Sequence, residues 1–211
     1  MNRFFTLYGA SLLQNIFEHI YISLSSLLLG VVFALSIGTM ISLNRNLSKA
    51  VINVASILQT IPSLALLAMM IPILGIGKLP AVLALFLYSL LPILRNTTIG
   101  LNGVAFDIVD AAKGMGMTRW QVLSKVKLPL AAPVIMSGIR LSGVYVISWT
   151  TLAAYIGAGG LGEFILNGLN VYSPPMIIAG TIPVTILAVI MDLLLSRLEK
   201  KTAFHISNIR E

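Results

Sequence analysis

The sequence predicts an all-α integral membrane protein with about five transmembrane helices, its N-terminus outside and its C-terminus inside. Three observations carry that expectation. Only 10% of the 211 residues are charged and 57% are hydrophobic, whereas soluble domains average about 25% charged residues because a water-facing surface needs them. The apolar residues fall into five runs long enough to cross a bilayer. Lysines and arginines cluster between those runs, as they do in loops between spans. At this length the chain reads as one domain, 1–211, whose apolar surface faces lipid.

A helix needs ~20 apolar residues to cross the ~30 Å hydrocarbon core. Residues 20–43 carry no charge, and neither do residues 50–77, which contain Pro62 and Pro72. Pro62 has no amide hydrogen, so that span is expected to kink. The third run, 79 to about 100, is interrupted by Arg95 near its end, and the fourth, about 130–156, by Arg140. The fifth, 176–195, has Asp192 and then Arg197 near its inner end. With the N-terminus outside, the inner loops and tail collect Arg45, Lys49, Arg95, Lys113, Arg119, Lys125, Lys127, Arg197, Lys200, Lys201 and Arg210, against Arg3 and Lys78 outside. The positive-inside rule therefore selects the N-out, C-in arrangement. The first run exceeds the ~7–15 residues of a signal core and nothing soluble follows it, so it reads as a span.

Several chemistries are excluded early. The chain has no cysteine, which removes disulfides, thiolate metal sites and cysteine catalysis. His19, expected at an outer span end, and His205, in the tail, have no second ligand at a workable spacing for a metal. The net charge of +7 sits in short loop clusters with no polybasic tail or arginine stripe, so the basic balance points to a membrane and away from nucleic acid.

Two connections are long enough to have a role of their own, 101–129 inside and 157–175 outside. In the inner one, Ile108, Ala111, Ala112 and Met115 recur at helical spacing and form one apolar face. Asp107 stands where an N-cap belongs, and Asp110 can pair with Lys113. Gly114 and Gly116 end the helix, since a glycine past the last turn tolerates the left-handed conformation. Thr118 and Gln121 have capping-box spacing and open a second helix carrying Trp120 and Leu123, and Pro129 and Pro133 lead it into the next span. The exposed apolar face reads either as a docking element for a cytosolic protein or as a helix resting on the lipid surface. A DNA-binding helix-turn-helix is dismissed, because both ends are tied to spans and the charges form no recognition face.

Asp110, Ala111, Ala112, Gly116, Val126, Leu128 and Pro129 spell an acidic residue, two alanines, three residues, a glycine, nine residues, an aliphatic, one residue and Leu-Pro. This pattern resembles the signature loop of permeases in binding-protein-dependent importers, with Asp for Glu and Val for Ile the only departures. The stretches QTIPSLAL (59–66), LLPILRN (90–96) and IGAGGLG (156–162) resemble the permeases for glycine betaine, carnitine and choline. The resemblance implies the type I ABC importer permease fold in a bacterial cell membrane. It implies that loop 101–129 couples the spans to a cytosolic ATPase dimer, which binds the ATP and magnesium; no cofactor is expected on this chain. It further implies a second permease chain, identical or a paralogue, and an extracytoplasmic substrate-binding protein. Some relatives carry that receptor as a fused domain; this chain ends at Glu211, so its receptor is expected to be a separate protein.

Candidate path residues are Gln59, Thr60 and Ser63 around Pro62, with Tyr88 in the third span and Tyr145, Trp149 and Tyr155 in the fourth. The polar group reads either as solute path or as interhelical glue. The aromatic faces attract a quaternary ammonium ion by about 0.5–2 kcal/mol, yet aromatic residues also serve as packing and interface anchors. Gly159, Gly160 and Glu163 lie in the outer loop, as a re-entrant or surface turn that could meet the receptor; without a Gly-Lys-Ser/Thr ending this is no nucleotide loop. Arg140 and Asp192 are assigned structural roles in the inner leaflet. No nucleotide motif is present, so ATP hydrolysis is expected from a partner and not from this chain. An ion-coupled secondary transporter or channel is the alternative, but it would place carboxylates near the midplane. A membrane enzyme has no visible chemistry in the spans.

The topology has a direct test. A reporter inserted near Lys113 or fused after Glu211 is expected to read as cytosolic, and one inserted between Val171 and Ser173 as extracytoplasmic. If the tail and the outer loop report the same side, the five-span arrangement fails.

Overall fold

The computed structural model describes residues 2–207, except for the side chains of residues 2–6, 45 and 204–207. Arg210 and Glu211 therefore lie outside the described residues, as do the side chains of Arg3, Arg45 and His205. Helix α1 (Asn2–Ile41) is followed by α2 (Arg45–Thr60), α3 (Ser63–Leu74), α4 (Lys78–Asn102) and α5 (Phe106–Gly114). A rod then runs through α6 (Arg119–Gln121), a π-helical segment (Val122–Lys127), α7 (Leu128–Thr150) and a 3₁₀ turn (Thr151–Ile156). Helices α8 (Gly162–Asn170) and α9 (Pro174–Ser207) complete the order, and the described residues contain no strand.

Four of these stretches are long and apolar enough to cross a bilayer: Leu7–Ile41, Lys78–Asn102, Arg119–Ile156 and Pro174–Ala203. The pair Asn46–Thr60 and Ser63–Leu74, bent by 94°, makes five if counted as one span. Two expectations need correction here. The first span does not begin at residue 20, because the helix continues unbroken back to Asn2. The second run is broken and not merely kinked, as two helices meeting at 94° around Pro62. Pro62 disfavours helical geometry at the residue before it, and Ile61 accordingly adopts φ −66°, ψ 128°. Pro72, by contrast, is accommodated inside α3.

Helix α4 is the centre of the bundle, buried along most of its length. Against it lies a stripe of small residues on α1: Gly30, Ala34 and Gly38, each four residues from the next. A Cβ at Gly30 would meet Ser89, and one at Gly38 would lie 2.9 Å from Thr97 Cγ2. In a membrane, where lipid tails are as apolar as leucine, close backbone approach at small residues is what holds helices together. The pairs Gly30–Ser89 and Gly38–Thr97 advance together along both chains, so α1 and α4 run parallel. Gly100 beside Ala131 and Gly138 beside Asn96 set α7 antiparallel to α4. Gly143 beside Met191 and Leu195, with the earlier Arg140 reaching the later Glu199, sets α9 antiparallel to α7.

These helix directions place the start of α1 at the α8 end and the end of α9 at the α5 end. Tyr8 meets Phe164 of α8 edge to face at 6.3 Å, and Glu199 of α9 reaches Arg140 of α7. Arg140 is fully engaged: Nε and Nη2 donate to the two carboxylate oxygens of Asp192 at 2.6 and 2.9 Å, and Nη1 donates to Glu199 at 3.1 Å. Charges within spans need such partners, and the triad ties α9 to α7.

Gly38→Val is expected to overpack the α1–α4 contact by about 1–3 kcal/mol. The measurement is thermal unfolding in detergent, beside Gly9→Val, where nothing lies within 4 Å of the added Cβ. Equal behaviour of the two variants would contradict the small-residue seam.

Candidate functional site

The break in the second span is held by proline chemistry on two helices. Pro92 inside α4 has no amide hydrogen, so the carbonyl of Tyr88, four residues earlier, lacks its helical donor. Gln59 Nε2 takes that place, donating to Tyr88 O at 3.1 Å. In return the Tyr88 hydroxyl donates to the carbonyl of Ile61 at the break. The interhelical reading of Gln59 thus has a defined partner. Thr60 caps back onto Ile57 O in its own helix at 2.7 Å and is exposed, and Ser63 opens α3 half-buried.

The aromatic residues converge on this break. The buried Tyr88 ring lies 4.8 Å from Trp149, and Trp149 lies 5.2 Å from Tyr145. Tyr145 is 40% exposed, so the stack grades from the interior to an open face. Tyr155 stands apart in the 3₁₀ turn, exposed. The structure brings Gln59, Tyr88, Trp149 and Tyr145 into one chain of contacts, and Thr60 and Ser63 flank it.

At the opposite end, α5 begins at Phe106 with Ala105 as N-cap; Asp107 lies in the first turn and makes no cap bond, correcting the sequence expectation. A carboxylate there still favours the helix dipole. No ion pair joins Asp110 to Lys113; both are exposed. The turn after α5 is as expected. Gly116 has φ +81°, its amide donates to Lys113 O, and the Met117 amide donates to Ala112 O, the paired bonds of a Schellman cap. Thr118 and Gln121 form the capping box. The segment beyond this box is not a separate second helix, because Arg119 continues into α7 without interruption. The continuity passes through the π segment, which ends where Pro129 follows Leu128. An α-helical Pro129 ring would press on the carbonyl of Lys125, and the wider π turn relieves that crowding.

The motif residues divide by burial. Ala112 is buried with Val122 and Leu123, and α5 rests on the π segment. Asp110, Ala111, Gly116 and Pro129 are exposed, and Val126 and Leu128 are half-buried. The large exposed apolar side chains from Phe106 to Trp120 are Phe106, Ile108, Met115 and Trp120, the first, third and fourth at 69–74% exposure. Ala112 therefore turns inward, away from the face assigned to it, and Phe106 joins that face.

The glycine-rich turn at the α8 end packs inward. Gly159 and Gly160 are buried against α1, with φ of +84° and +82°. A Cβ at Gly159 would collide with Glu18 Oε2. Glu18 accepts from the Gly160 amide at 3.2 Å, from Gln14 at 3.2 Å and from Lys78 at 3.0 Å. His19 is not at a span end but fully buried within α1, with Nε2 at 3.1 Å from Ile147 O. Glu163, half-buried in the first turn of α8, accepts from Asn15 at 3.4 Å. The Arg140 triad and the Glu18 junction went unread in the sequence; residues about fifty and sixty positions apart carry no local signal, although the Gly30–Ala34–Gly38 spacing was one.

The same architecture recurs in known proteins. Residues 26–204 match the family described as "Binding-protein-dependent transport system inner membrane component", and the chain belongs to that family. It is 53% identical over 196 residues to the carnitine transport permease protein OpuCB of Listeria monocytogenes, covering 93% of this chain and 90% of the relative. It is 50% identical to the glycine betaine/carnitine/choline transport system permease protein OpuCB of Bacillus subtilis (strain 168), covering 92% and 89%. To the osmoprotectant import permease protein OsmW of Salmonella typhimurium it is 43% identical, covering 87% of each. Among solved structures, a chain of the inward-facing MetNI methionine ABC transporter superposes with a TM-score of 0.84 at 22% identity, covering 90% of this chain and 95% of that one. A chain of an amino acid ABC transporter with histidines gives 0.77 at 16%, covering 93% and 96%. The fold is that of the type I importer permeases, all-helical as the sequence predicts.

Tyr88→Phe removes the donor to Ile61 O, and Gln59→Leu removes the donor to Tyr88 O. Each is expected to lower stability by about 1–3 kcal/mol, the cost of leaving a buried carbonyl unpaired, read as a lower unfolding midpoint in detergent. Unchanged midpoints in both would mean the break is held by other contacts.

Proposed function

We propose that this chain is the permease subunit of an ATP-driven importer for quaternary ammonium compatible solutes such as glycine betaine, carnitine and choline. The observation that carries the reading is its identity of 50–53%, over about nine-tenths of its length, with permeases named for those solutes. The chain forms the translocation path together with a second permease chain, identical or a paralogue. A separate extracytoplasmic binding protein delivers the solute. A cytosolic ATPase dimer binds the ATP and magnesium and performs the hydrolysis.

Two features give this reading its mechanics. The Tyr88–Trp149–Tyr145 stack offers aromatic faces to a cation that has no N–H to donate, an attraction of about 0.5–2 kcal/mol depending on desolvation. Gln59, Thr60 and Ser63 at the break supply polar groups beside it. At the cytosolic end, Phe106 and Met115 of α5 and its cap, with Trp120 of α6, are the surface presented to the ATPase. Ala112 and the Gly116 turn set the pose of α5, and Val126, Leu128 and Pro129 connect its seat directly to α7. A push on α5 is thereby delivered to the helix that carries Tyr145 and Trp149. An ion-coupled carrier is the weaker reading, since Asp192 and Glu199 are both committed to Arg140.

The test is uptake into proteoliposomes holding the permease, its ATPase and its receptor. ATP-dependent uptake of betaine, carnitine or choline is expected, with no hydrolysis by the permease alone; uptake driven by a sodium or proton gradient without ATP would refute the proposal. Gly116→Asp supplies the coupling arm. The added Cβ meets nothing within 4 Å in this chain, so the internal cost is the left-handed backbone, about 1–2 kcal/mol. The variant is expected to reach the membrane, lose ATPase co-purification and abolish uptake, while Asp110→Ala is milder. Normal uptake by Gly116→Asp would remove the loop from the coupling path.

A further inference from the structure

At the end opposite α5, a cavity of about 270 Å³ lies between the start of α1 and α8. Ser11, Gln14 and Asn15 line it from one side and Glu163 and Asn167 from the other, beside the edge-to-face rings of Tyr8 and Phe164. Among the described residues that line it, Glu163 is the only charged one. The two carboxylates of this end are treated differently by the fold. Glu18 is answered by Lys78, Gln14 and the Gly160 amide. Glu163, half-buried, takes one long bond from Asn15 and forms no ion pair among the described residues.

A half-buried carboxylate with no cation partner among the described residues is an unfinished interaction. The cavity's inventory says what would finish it: one negative charge, amide oxygens and hydroxyls. A guanidinium or ammonium group satisfies both the charge and the surrounding acceptors. A divalent metal is a poor match, because no three His, Asp or Glu side chains gather anywhere among the described residues. A quaternary ammonium ion, lacking N–H, would leave the amide oxygens unpaired. At the far end of α8, Tyr172 is 91% exposed and holds φ +53°, a conformation that bulky side chains rarely adopt and that gathers at functional sites. Val171 and Leu169 are exposed beside it. Exposed aromatic and apolar groups at one end of a short helix and a charged cavity at the other are features of a protein-docking surface.

We infer that the Glu163 cavity receives a lysine or arginine side chain of the extracytoplasmic solute-binding protein when it docks, with the α8–α9 loop around Tyr172, at the other end of α8, as a second contact. The inference rests on the importer reading above and names the contact by which the receptor is held. Gly159 and Gly160, being buried, act behind this surface by fixing Glu18 and the start of α8.

The experiment titrates the purified receptor against the assembled permease–ATPase complex in lipid nanodiscs and reads receptor-stimulated ATP hydrolysis. Absence of stimulation in the wild type would sink the importer reading itself, whatever Glu163 does. Given stimulation, Glu163→Gln is expected to raise the half-saturating receptor concentration about tenfold and to flatten its salt dependence, with the maximal rate recovered at high receptor. Asn167→Lys leaves the carboxylate in place but supplies a cation one turn away, and is expected to raise half-saturation similarly. With Glu163→Lys, a scan of receptor lysines and arginines changed to glutamate is expected to find one that restores coupling. Unchanged half-saturation in both Glu163→Gln and Asn167→Lys overturns the inference. So does a fall in maximal rate without a shift in half-saturation. A wild-type half-saturation that moves as far when sodium and potassium are replaced by N-methylglucamine would assign the cavity to an inorganic cation and also overturn it.

Discussion

The structure turns on one carbonyl, that of Tyr88. In hydrocarbon there is no water to complete a broken backbone hydrogen bond, so the carbonyl freed by a proline inside a span must find its donor in protein. Pro92 strips the helical donor from Tyr88 O in the central helix, and Gln59 replaces it from α2. Pro62 interrupts the second span, and the hydroxyl of the same tyrosine caps the exposed carbonyl of Ile61. Two defects thus cancel through two reciprocal bonds. The consequence is geometric: the elbow between α2 and α3 is fastened to α4, and the Tyr88 ring is fixed where it meets Trp149.

Around that fastening the bundle is assembled mainly by what is small. Gly30, Ala34 and Gly38 bring α1 onto α4, Gly138 brings α7 onto Pro92 and Asn96, and Gly143 admits Leu195 of α9. Ser142 adds a bond to Ser89 O at 2.8 Å. Charge is used sparingly and always across helices. Arg140 holds two carboxylates of α9, and Glu18 joins α1 to the start of α4 and to the glycine turn. These long-range pairs explain how α9, whose surface is largely exposed and apolar, is tied to the rest of the bundle.

The two ends of the molecule differ in how their backbones are built. At the α5 end, a short helix closed by a Schellman turn sits on a π segment that runs straight into α7. Motion of α5 therefore has a rigid route into the spans, because a helix transmits displacement along its axis while a loop would absorb it. At the α8 end the turn is locked inward by positive-φ glycines, leaving the Tyr172 loop exposed.

Much of this was legible in the residues. The apolar runs foretold an all-helical bundle, which has four spans, or five with the bent pair counted as one, since transfer energetics act residue by residue. The capping box at Thr118 and the left-handed Gly116 are local in sequence and were readable for that reason. Local rules also misled where tertiary contacts outweighed them: Asp107 is not the cap, Ala112 faces inward, and His19 lies deep in a helix that extends back to Asn2. The partners of Gln59, Arg140 and Glu18 were decided only by the packed bundle. A hydrogen bond between residues 29 or 52 positions apart depends on the directions and close approach of whole helices, which small residues permit but no single segment encodes.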